Sequence, residues 1–500
     1  MKGIIATDHP TVTQAACDML ESGGNAFDAA IAAGFAATVA EPVLASLGGG
    51  GFLLARTFDE QEILFDFFTD TPGLGQQVVD LEPHFVPIKV KFPSSQQDFN
   101  VGYGSIAVPG TLKGFIHVHE KLGCLPLEEV ITPAVELARN GVLLNKSQSY
   151  FLKLLHPIMT LLPGGRKLYE PNGKFLQEGD LYKNSELANF LEWLPSSGVR
   201  EFYHGKLAKQ IVTDCNENNG LITKEDLTTY QVMERKPLEI QYRNCRLLTN
   251  PPPSFGGSLI SILLRLLQVN SLEKIPFGSA RHLAFLSTVF KEAERYKMES
   301  MDNGTWISDE LSPESIKRIR IASGGTTHIS VCDSQNNFAS MSISNGEGSG
   351  YVVPGSGIML NNMLGEDDLH PGGFHSSPAG FRISSMMSPS ILFQENVPNL
   401  VLGSGGSKRI KTALLQVLSN FIDFDMSISE AVEAPRIHWD GTSIQMEAGF
   451  DKKATKELAN HWETNVWSVK DIYFGGVNAL STSGVSVGDS RRGGSAKVLD

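Results

Sequence analysis

The stretch ASGGTTHISV, residues 322–331, sets two glycines directly before two threonines and a histidine. A threonine hydroxyl inside a chain is a poor nucleophile, because nothing beside it takes its proton. At a chain N-terminus the same hydroxyl has a base of its own, the α-amine, whose ordinary pKa of about 7.7–8.0 suits proton transfer near neutrality. Thr326 reaches that position only if its bond to Gly325 is cut. Glycine on the leaving side has no Cβ to block attack on its carbonyl, and it tolerates strained backbone angles. The same residues also read as a Gly-Gly loop entering a strand, so the segment alone leaves both readings open.

Three other groups of residues bear on such chemistry. In GSGGS, Gly403–Ser407, the amides of Gly405 and Gly406 ahead of a helix suit a developing oxyanion, or simply make a strand–helix turn. In RISSMMSP, Ser384 and Ser385 can donate two hydrogen bonds to a carboxylate, or can be an ordinary loop pair. In NNMLGEDDLHPGG, the acids Glu366, Asp367 and Asp368 suit a substrate ammonium, a bound cation or a solvated turn. The tetraglycine Gly48–Gly51 reads as a tight turn or as backbone closely approaching a ligand or another segment. No G-K-[ST] follows it, which argues against a phosphate loop. No HExxH motif occurs, and the five cysteines form no C-x-x-C pair. A metal site, a cofactor and a disulfide framework are therefore not expected, and the thiols read as buried in a reducing compartment.

These residues need a frame. A helix is expected over residues 11–22, capped by Thr11 or Thr13 and stopped at Gly23. An alanine-rich helix follows and ends at Glu41, because Pro42 cannot continue it. Further helices are expected over 127–141, 256–269, 279–298 and 407–423, and a strand over 60–68. TTHISVCD and NFASMSIS read as strands joined by SQNN, followed by strands in SGIMLNN, SPSILF and NLVLGS. Residues 69–104 and 302–325 are poor in periodic signal and are expected to be mobile. Strand-rich segments flanked by helices indicate layered sheets covered by helices.

With 500 residues, 41% of them hydrophobic and 19% charged, the chain has a globular composition, and length alone suggests two to four domains. The net charge is −13 and no Lys/Arg block occurs, so nucleic acid and anionic membrane are not expected partners. The opening MKGIIATDHP lacks the apolar core of a signal peptide and no long apolar run exists, so a cytoplasmic location is expected.

Taken in order, the motifs are specific. GGNAFDAAIAAGFAATVAEP, GGGGFLL, AVPGTLKGF, ITKEDLTTY, PPPSFGG, TTHISVCD, SGIMLNN, ISSMMSPSI, LGSGGSKRI and AVEAPRIHW run nearly the whole length of the chain. The chain resembles the γ-glutamyltranspeptidase family of N-terminal-nucleophile hydrolases. The resemblance implies an α+β fold, a four-layer αββα sandwich, replacing the expectation of several domains. It implies a self-cutting precursor, with a large subunit 1–325 and a small subunit 326–500 intertwined in one structural domain. By resemblance Thr326 is the nucleophile, Gly405 and Gly406 form the oxyanion hole, and Ser384 and Ser385 bind the α-carboxylate of a γ-glutamyl substrate. Glu366 or Asp367 stands where the family grips the α-ammonium. Ser344 falls where the family carries a second threonine that bonds the nucleophile, and Asn345 matches a substrate-binding asparagine with a one-residue gap. The acyl group would pass to water or to an amino acid or peptide amine.

Two departures bear on the substrate. Met363 replaces a polar residue after the NN pair, and Phe68, in DFFTDTP, stands where the family arginine forks onto the α-carboxylate. A charge-assisted hydrogen bond contributes about 1.5–3 kcal/mol. Its loss implies roughly 10- to 150-fold weaker γ-glutamyl recognition unless another cation compensates. The alternatives are the same machinery acting on a different acyl amide, as in the cephalosporin acylases of this family, or an unprocessed, non-catalytic relative.

Overall fold

The computed structural model describes residues 1–76, 84–91, 96–269, 272, 274–302, 325–367, 369–370, 373–374 and 376–500. Two antiparallel sheets form its centre. The first has seven strands in the order Ser495–Leu499, Gly3–Thr7, Gly325–Asp333, Phe338–Gly346, Gly50–Arg56, Glu62–Phe67 and Met233–Arg235. The second has six: Val485–Val487, Gly476–Ser481, Val397–Gly405, Ser390–Gln394, Cys245–Thr249 and Leu238–Tyr242.

Period-two alternation divides the side chains of the first sheet between two cores. Leu53, Ala55 and Phe65 point to the helices Pro10–Glu21, Ala26–Ala40, Thr111–Leu122 and Leu127–Asn140. Phe52, Leu54 and Leu64 point to the second sheet, which is covered in turn by the helices Phe255–Gln268, Ala280–Asp302 and Ile410–Asp423. The layers are therefore helix, sheet, sheet, helix, the αββα sandwich expected from the family resemblance.

The alanine-rich helix is buried at every position, which is why it contains so few large side chains. Asn25 caps it and Asp28 returns the bond in a capping box. At Gly34 a Cβ would lie 2.6 Å from the Phe115 ring. The helix ends at Ala40, so Glu41, the cap residue before Pro42, is carried into the interior.

Several local expectations are corrected. The first helix is capped by His9, which accepts from the Thr11 amide, with Pro10 in its first turn; the Thr13 hydroxyl is taken by His9 O and by Thr7. Within 69–104, Val86–Lys91 and Gln96–Val101 pair as a hairpin, and Thr69 and Asp70 are tied by backbone bonds to Ile383 and Val108. Of 302–325, residues 303–324 lie outside the described residues. The SGIMLNN strand shrinks to Ile358–Met359, and the 407–423 helix opens with a 3₁₀ turn over Ser407–Arg409. Four cysteines are buried, but Cys124 is exposed. Among the described residues no helix is long and apolar enough to cross a membrane.

The tetraglycine is a place of close approach between chain segments. A Cβ on Gly49 would overlap the Ser344 carbonyl oxygen, and one on Gly51 would lie 2.5 Å from the Ser342 carbonyl. Because the obstacles are backbone atoms, Gly49→Ala should cost about 1–3 kcal/mol of stability, read as a lowered urea midpoint at unchanged slope.

A buried ion cluster fixes the C-terminal turn Ser490–Arg492. Arg436 pairs with Asp489 at 2.7 Å, and Arg491 bonds Asp489 at 3.1 Å and Glu447 at 2.5 Å. Burial alone would raise the Asp489 carboxyl, but the two guanidiniums outweigh it and hold it down at about 2. A depressed carboxylate stabilises the fold above its unfolded value of about 3.9, and that contribution disappears as the pH falls toward 2. Asp489→Asn should cost about 3–5 kcal/mol at neutral pH, with the gap from the native protein narrowing between about pH 4 and pH 2 in denaturant titrations.

Candidate active site

The strand Gly325–Asp333 places Thr326 opposite Ser344 on Phe338–Gly346. Pairing is regular from Thr326 onward and breaks at the Gly325–Thr326 bond: Gly325 opposes Gly346, and Asn345 is left over as a bulge. The Ser344 hydroxyl donates to the Gly325 carbonyl oxygen and accepts from the Gly346 amide at 3.0 Å. A Cβ at Gly325 would meet the Gly346 and Val43 carbonyl oxygens at 2.5 and 2.8 Å. Glycine is thus required here by close packing against backbone, while Gly325 itself does not adopt a left-handed conformation.

Thr326 and Ser344 open onto a cleft of about 280 Å³. Its wall carries Phe68, Met363, Leu369, Met386, Met387 and Ile410, and its other polar groups come from Glu366, Ser385 and Ser407. The Phe68 ring stacks on Phe52, with centroids 5.5 Å apart. Ser385 is positioned by PPPSFGG: the amides of Phe255 and Gly256 and the Ser254 hydroxyl all donate to the Ser385 carbonyl, at 2.8–3.0 Å. Gly346 adopts φ 62° and leaves room for Glu366, whose Oε1 would collide with a Cβ there.

The remaining sequence-derived site residues lie around this cleft rather than on its wall. Ser384 donates to the Leu369 carbonyl at 3.2 Å. Asp367 faces Lys408 at 3.6 Å, and Asp368 lies outside the described residues. Asn345 is buried in the bulge, where its amide donates to the Leu44 carbonyl and its side-chain oxygen has no hydrogen-bond partner among the described residues. Gly405 ends the strand Val397–Gly405, packed so closely that a Cβ would overlap the Thr326 carbonyl oxygen and the Arg492 guanidinium. Gly406 at φ 126° and Ser407 at φ 50° then swing the chain toward the cleft and into the helix Ile410–Asp423.

His328, two residues from Thr326, is not a base for it. Both ring nitrogens are occupied by serine hydroxyls, Ser342 at 2.8 Å and Ser330 at 3.0 Å, and burial pushes its pKa down to about 3. Gly403 makes room for the imidazole, which a Cβ there would overlap.

The cation nearest in sequence to the serine pair is Arg382, and it is already committed. Its guanidinium bonds the Asp66 carboxylate at 3.0 Å, the Phe68 and Gln231 carbonyls at 2.7 Å and the Tyr230 hydroxyl at 3.1 Å, and it pairs with Asp70 at 2.7 Å. Arg382 thus holds the backbone of Phe68 from behind while the Phe68 ring faces the cleft. Burial drives the Asp70 carboxyl up to about 6 despite Arg382.

The gamma-glutamyltranspeptidase family profile matches residues 12–499. The chain belongs to the gamma-glutamyltranspeptidase family. It is 31% identical to the glutathione hydrolase proenzyme of Escherichia coli, over 91% of this chain and 84% of that protein. It is 30% identical to the acylase ACY 1 proenzyme of Pseudomonas sp. SE83, over 96% of this chain and 90% of that protein. In fold it matches the crystal structure of cephalosporin acylase from Bacillus halodurans with a TM-score of 0.83 at 24% identity, covering 100% of this chain and 96% of that one. Like its family, it is an enzyme.

Sequence reasoning did not find Arg492, Asp8 or Glu41, which surround the strand carrying Thr326, nor Ser407, Leu369 and Ile410 on the cleft wall. Arg492 donates Nη1 to the Thr326 carbonyl at 2.5 Å across 166 residues of sequence, a separation that leaves no local signal. Met386 and Met387 directly follow the serine pair and were within reach of a motif-based reading.

Proposed function

We propose that the chain is a self-processing amidohydrolase of the N-terminal-nucleophile type with Thr326 as its nucleophile. The observation that carries this reading is the hydrogen bond from the Ser344 hydroxyl to the Gly325 carbonyl, at the point where strand pairing breaks. In the precursor the Thr326 oxygen attacks the Gly325 carbonyl carbon while Ser344 polarises its oxygen. The Gly325–Thr326 C–N bond breaks, an ester forms on Thr326 and its amine is freed; water then hydrolyses the ester, leaving a Gly325 carboxylate. Strands from both sides of the cut share both sheets, so the two pieces stay locked together.

In the mature enzyme the Thr326 amine takes the hydroxyl proton as the oxygen attacks an amide carbonyl. Gly405 and Gly406 receive the oxyanion, the leaving amine departs, and water or a second amine releases the acyl group. The substrate we assign is a γ-glutamyl amide of the glutathione type, with its α-ammonium on Glu366 and its α-carboxylate on the serine loop at Ser384 and Ser385. A second reading is favoured by Phe68, Met363, Leu369, Met386 and Met387, which give the cleft an apolar wall suited to a dicarboxylic acyl chain without the α-amino acid end. The relatives named as acylases are in keeping with it.

Mass spectrometry of denatured, purified protein should find fragments 1–325 and 326–500. Thr326→Ala should remain a single uncut, inactive chain, and Ser344→Ala should slow cleavage by about 10²–10³, as loss of an oxyanion donor does elsewhere. Cleavage that survives Thr326→Ala would overturn the reading. The substrate is decided by comparing turnover of γ-glutamyl, glutaryl and adipyl anilides. If γ-glutamyl transfer is the activity, Phe68→Arg should raise kcat/KM for the γ-glutamyl anilide by roughly 10- to 150-fold over the glutaryl one. Turnover of the glutaryl and adipyl anilides alone would establish the second reading.

A further inference from the structure

Three buried ionisable side chains meet around the nucleophile strand and take no part in the acyl chemistry above. Arg492, presented by the turn that Asp489 and Arg491 anchor, donates Nη1 to the Thr326 carbonyl at 2.5 Å, and its guanidinium lies 5.2 Å over the Phe151 ring. Asp8, at the end of the first strand, accepts from the Thr327 hydroxyl at 3.1 Å, the His328 amide at 3.3 Å and the Asn478 side chain at 2.9 Å. Glu41 is fully buried and neither carboxyl oxygen has a hydrogen-bond partner among the described residues; the donor beside it, the Thr327 hydroxyl, is already given to Asp8.

We propose that Arg492, backed by Asp8 and Glu41, is a positioning residue for the nucleophile, fixing the Thr326 backbone and setting the electrostatic field in which the Thr326 amine works. The proposal rests on Thr326 being the N-terminal nucleophile. That amine accepts the hydroxyl proton only when it is neutral, and a guanidinium held on the carbonyl of the same residue opposes its protonation. A neighbouring like charge disfavours the charged form and so lowers the pKa of an amine.

Two ionised carboxylates would cancel this effect. Burial raises both acids, Glu41 well above the ordinary carboxylate range and Asp8 less so, with Arg492 opposing the rise in each. Three donors favour Asp8 as the ionised member, and Glu41, lacking them, keeps its proton. The cation touches Thr326 itself, whereas the Asp8 carboxylate is bonded to Thr327 and His328, so the field at the amine stays positive. As pH rises and Glu41 ionises, a second carboxylate competes with the Thr326 carbonyl for Arg492 and loosens the strand. Other titratable groups around Thr326 among the described residues include Glu366 on the cleft wall, the Asp367–Lys408 pair beside it, neutral His328, and the ion cluster of Asp489, Arg491, Arg436 and Glu447.

The test follows the Thr326 amine directly. Mature wild-type, R492K, R492M and E41Q proteins are acetylated with limiting acetic anhydride across a pH series, and modification of Thr326 is read by mass spectrometry beside kcat and KM for the γ-glutamyl and glutaryl anilides. R492M should move the amine titration and the acid limb of kcat upward by about one unit, with KM little changed, and R492K should restore both. E41Q should move the alkaline limb of kcat upward. A cut R492M protein with the wild-type amine titration overturns the proposal while leaving the Thr326 reading intact. If R492M does not mature, E41Q decides, and an unchanged alkaline limb overturns it. Acetylation or turnover independent of residue 326 would instead remove the reading on which the proposal stands.

Discussion

The bond between Gly325 and Thr326 sits where a regular antiparallel ladder stops being regular, and the rest of the site depends on that interruption. From Thr326 inward the strand is buried throughout and paired with Phe338–Gly346, and from Ser330 it is paired with Gly3–Thr7 on its other edge as well. One residue earlier, the bulge at Asn345 shifts the register and brings the Ser344 hydroxyl onto the Gly325 carbonyl. Rigid on one side and irregular on the other, the backbone concentrates its departure from ladder geometry at a single peptide bond.

Holding that geometry requires backbones to pass closer than side chains permit. Gly49 lies against the Ser344 carbonyl, Gly325 against Gly346 and Val43, Gly405 against Thr326 and Arg492, and Gly403 against His328. Gly325 lies in the strand that carries Thr326, Gly49 packs against its partner strand, and Gly403 and Gly405 approach it from the second sheet. They account for the recurrence of glycine in motifs far apart in sequence: each removes a Cβ from the same crowded volume. Gly406 and Gly346 have in addition a positive φ, where the chain turns toward the cleft or makes room for Glu366.

Charge is arranged with the same economy. The protein is acidic overall, yet the arginines near the site are consumed by structure: Arg382 holds Phe68 and the Asp66–Asp70 segment, while Arg436 and Arg491 hold the last turn of the chain. The cleft wall is left with an acid, hydroxyls and apolar side chains. On the function proposed above, this distribution separates the part of the site that would perform acyl transfer from the part that would choose the acyl group. The Thr326 strand and its glycines can stay as they are while Phe68, Met363 and the two methionines set the polarity of the cleft.

The order of the motifs determined the family and, through it, the layered αββα fold, because a glycine-threonine junction, a serine pair and a glycine-rich turn in that sequence carry information that no single one of them does. Periodicity placed most helices and strands, since a buried helix or a half-buried strand stamps its repeat on the local sequence. It misplaced the first helix cap, because the Thr13 hydroxyl was engaged by Thr7 and His9, and it passed over the hairpin Val86–Lys91/Gln96–Val101, whose pairing lies in its partner rather than in its own alternation. Tertiary structure alone decided that Glu366 and Ser385, and not Asp367 and Ser384, reach the cleft wall, that Arg382 is unavailable to a substrate, and that Arg492, Asp8 and Glu41 meet at Thr326. The reason is physical: which of two adjacent polar residues points inward, and which distant charges converge, is set by the packing of sheets and by desolvation, and neither leaves a trace in the spacing of residues along the chain.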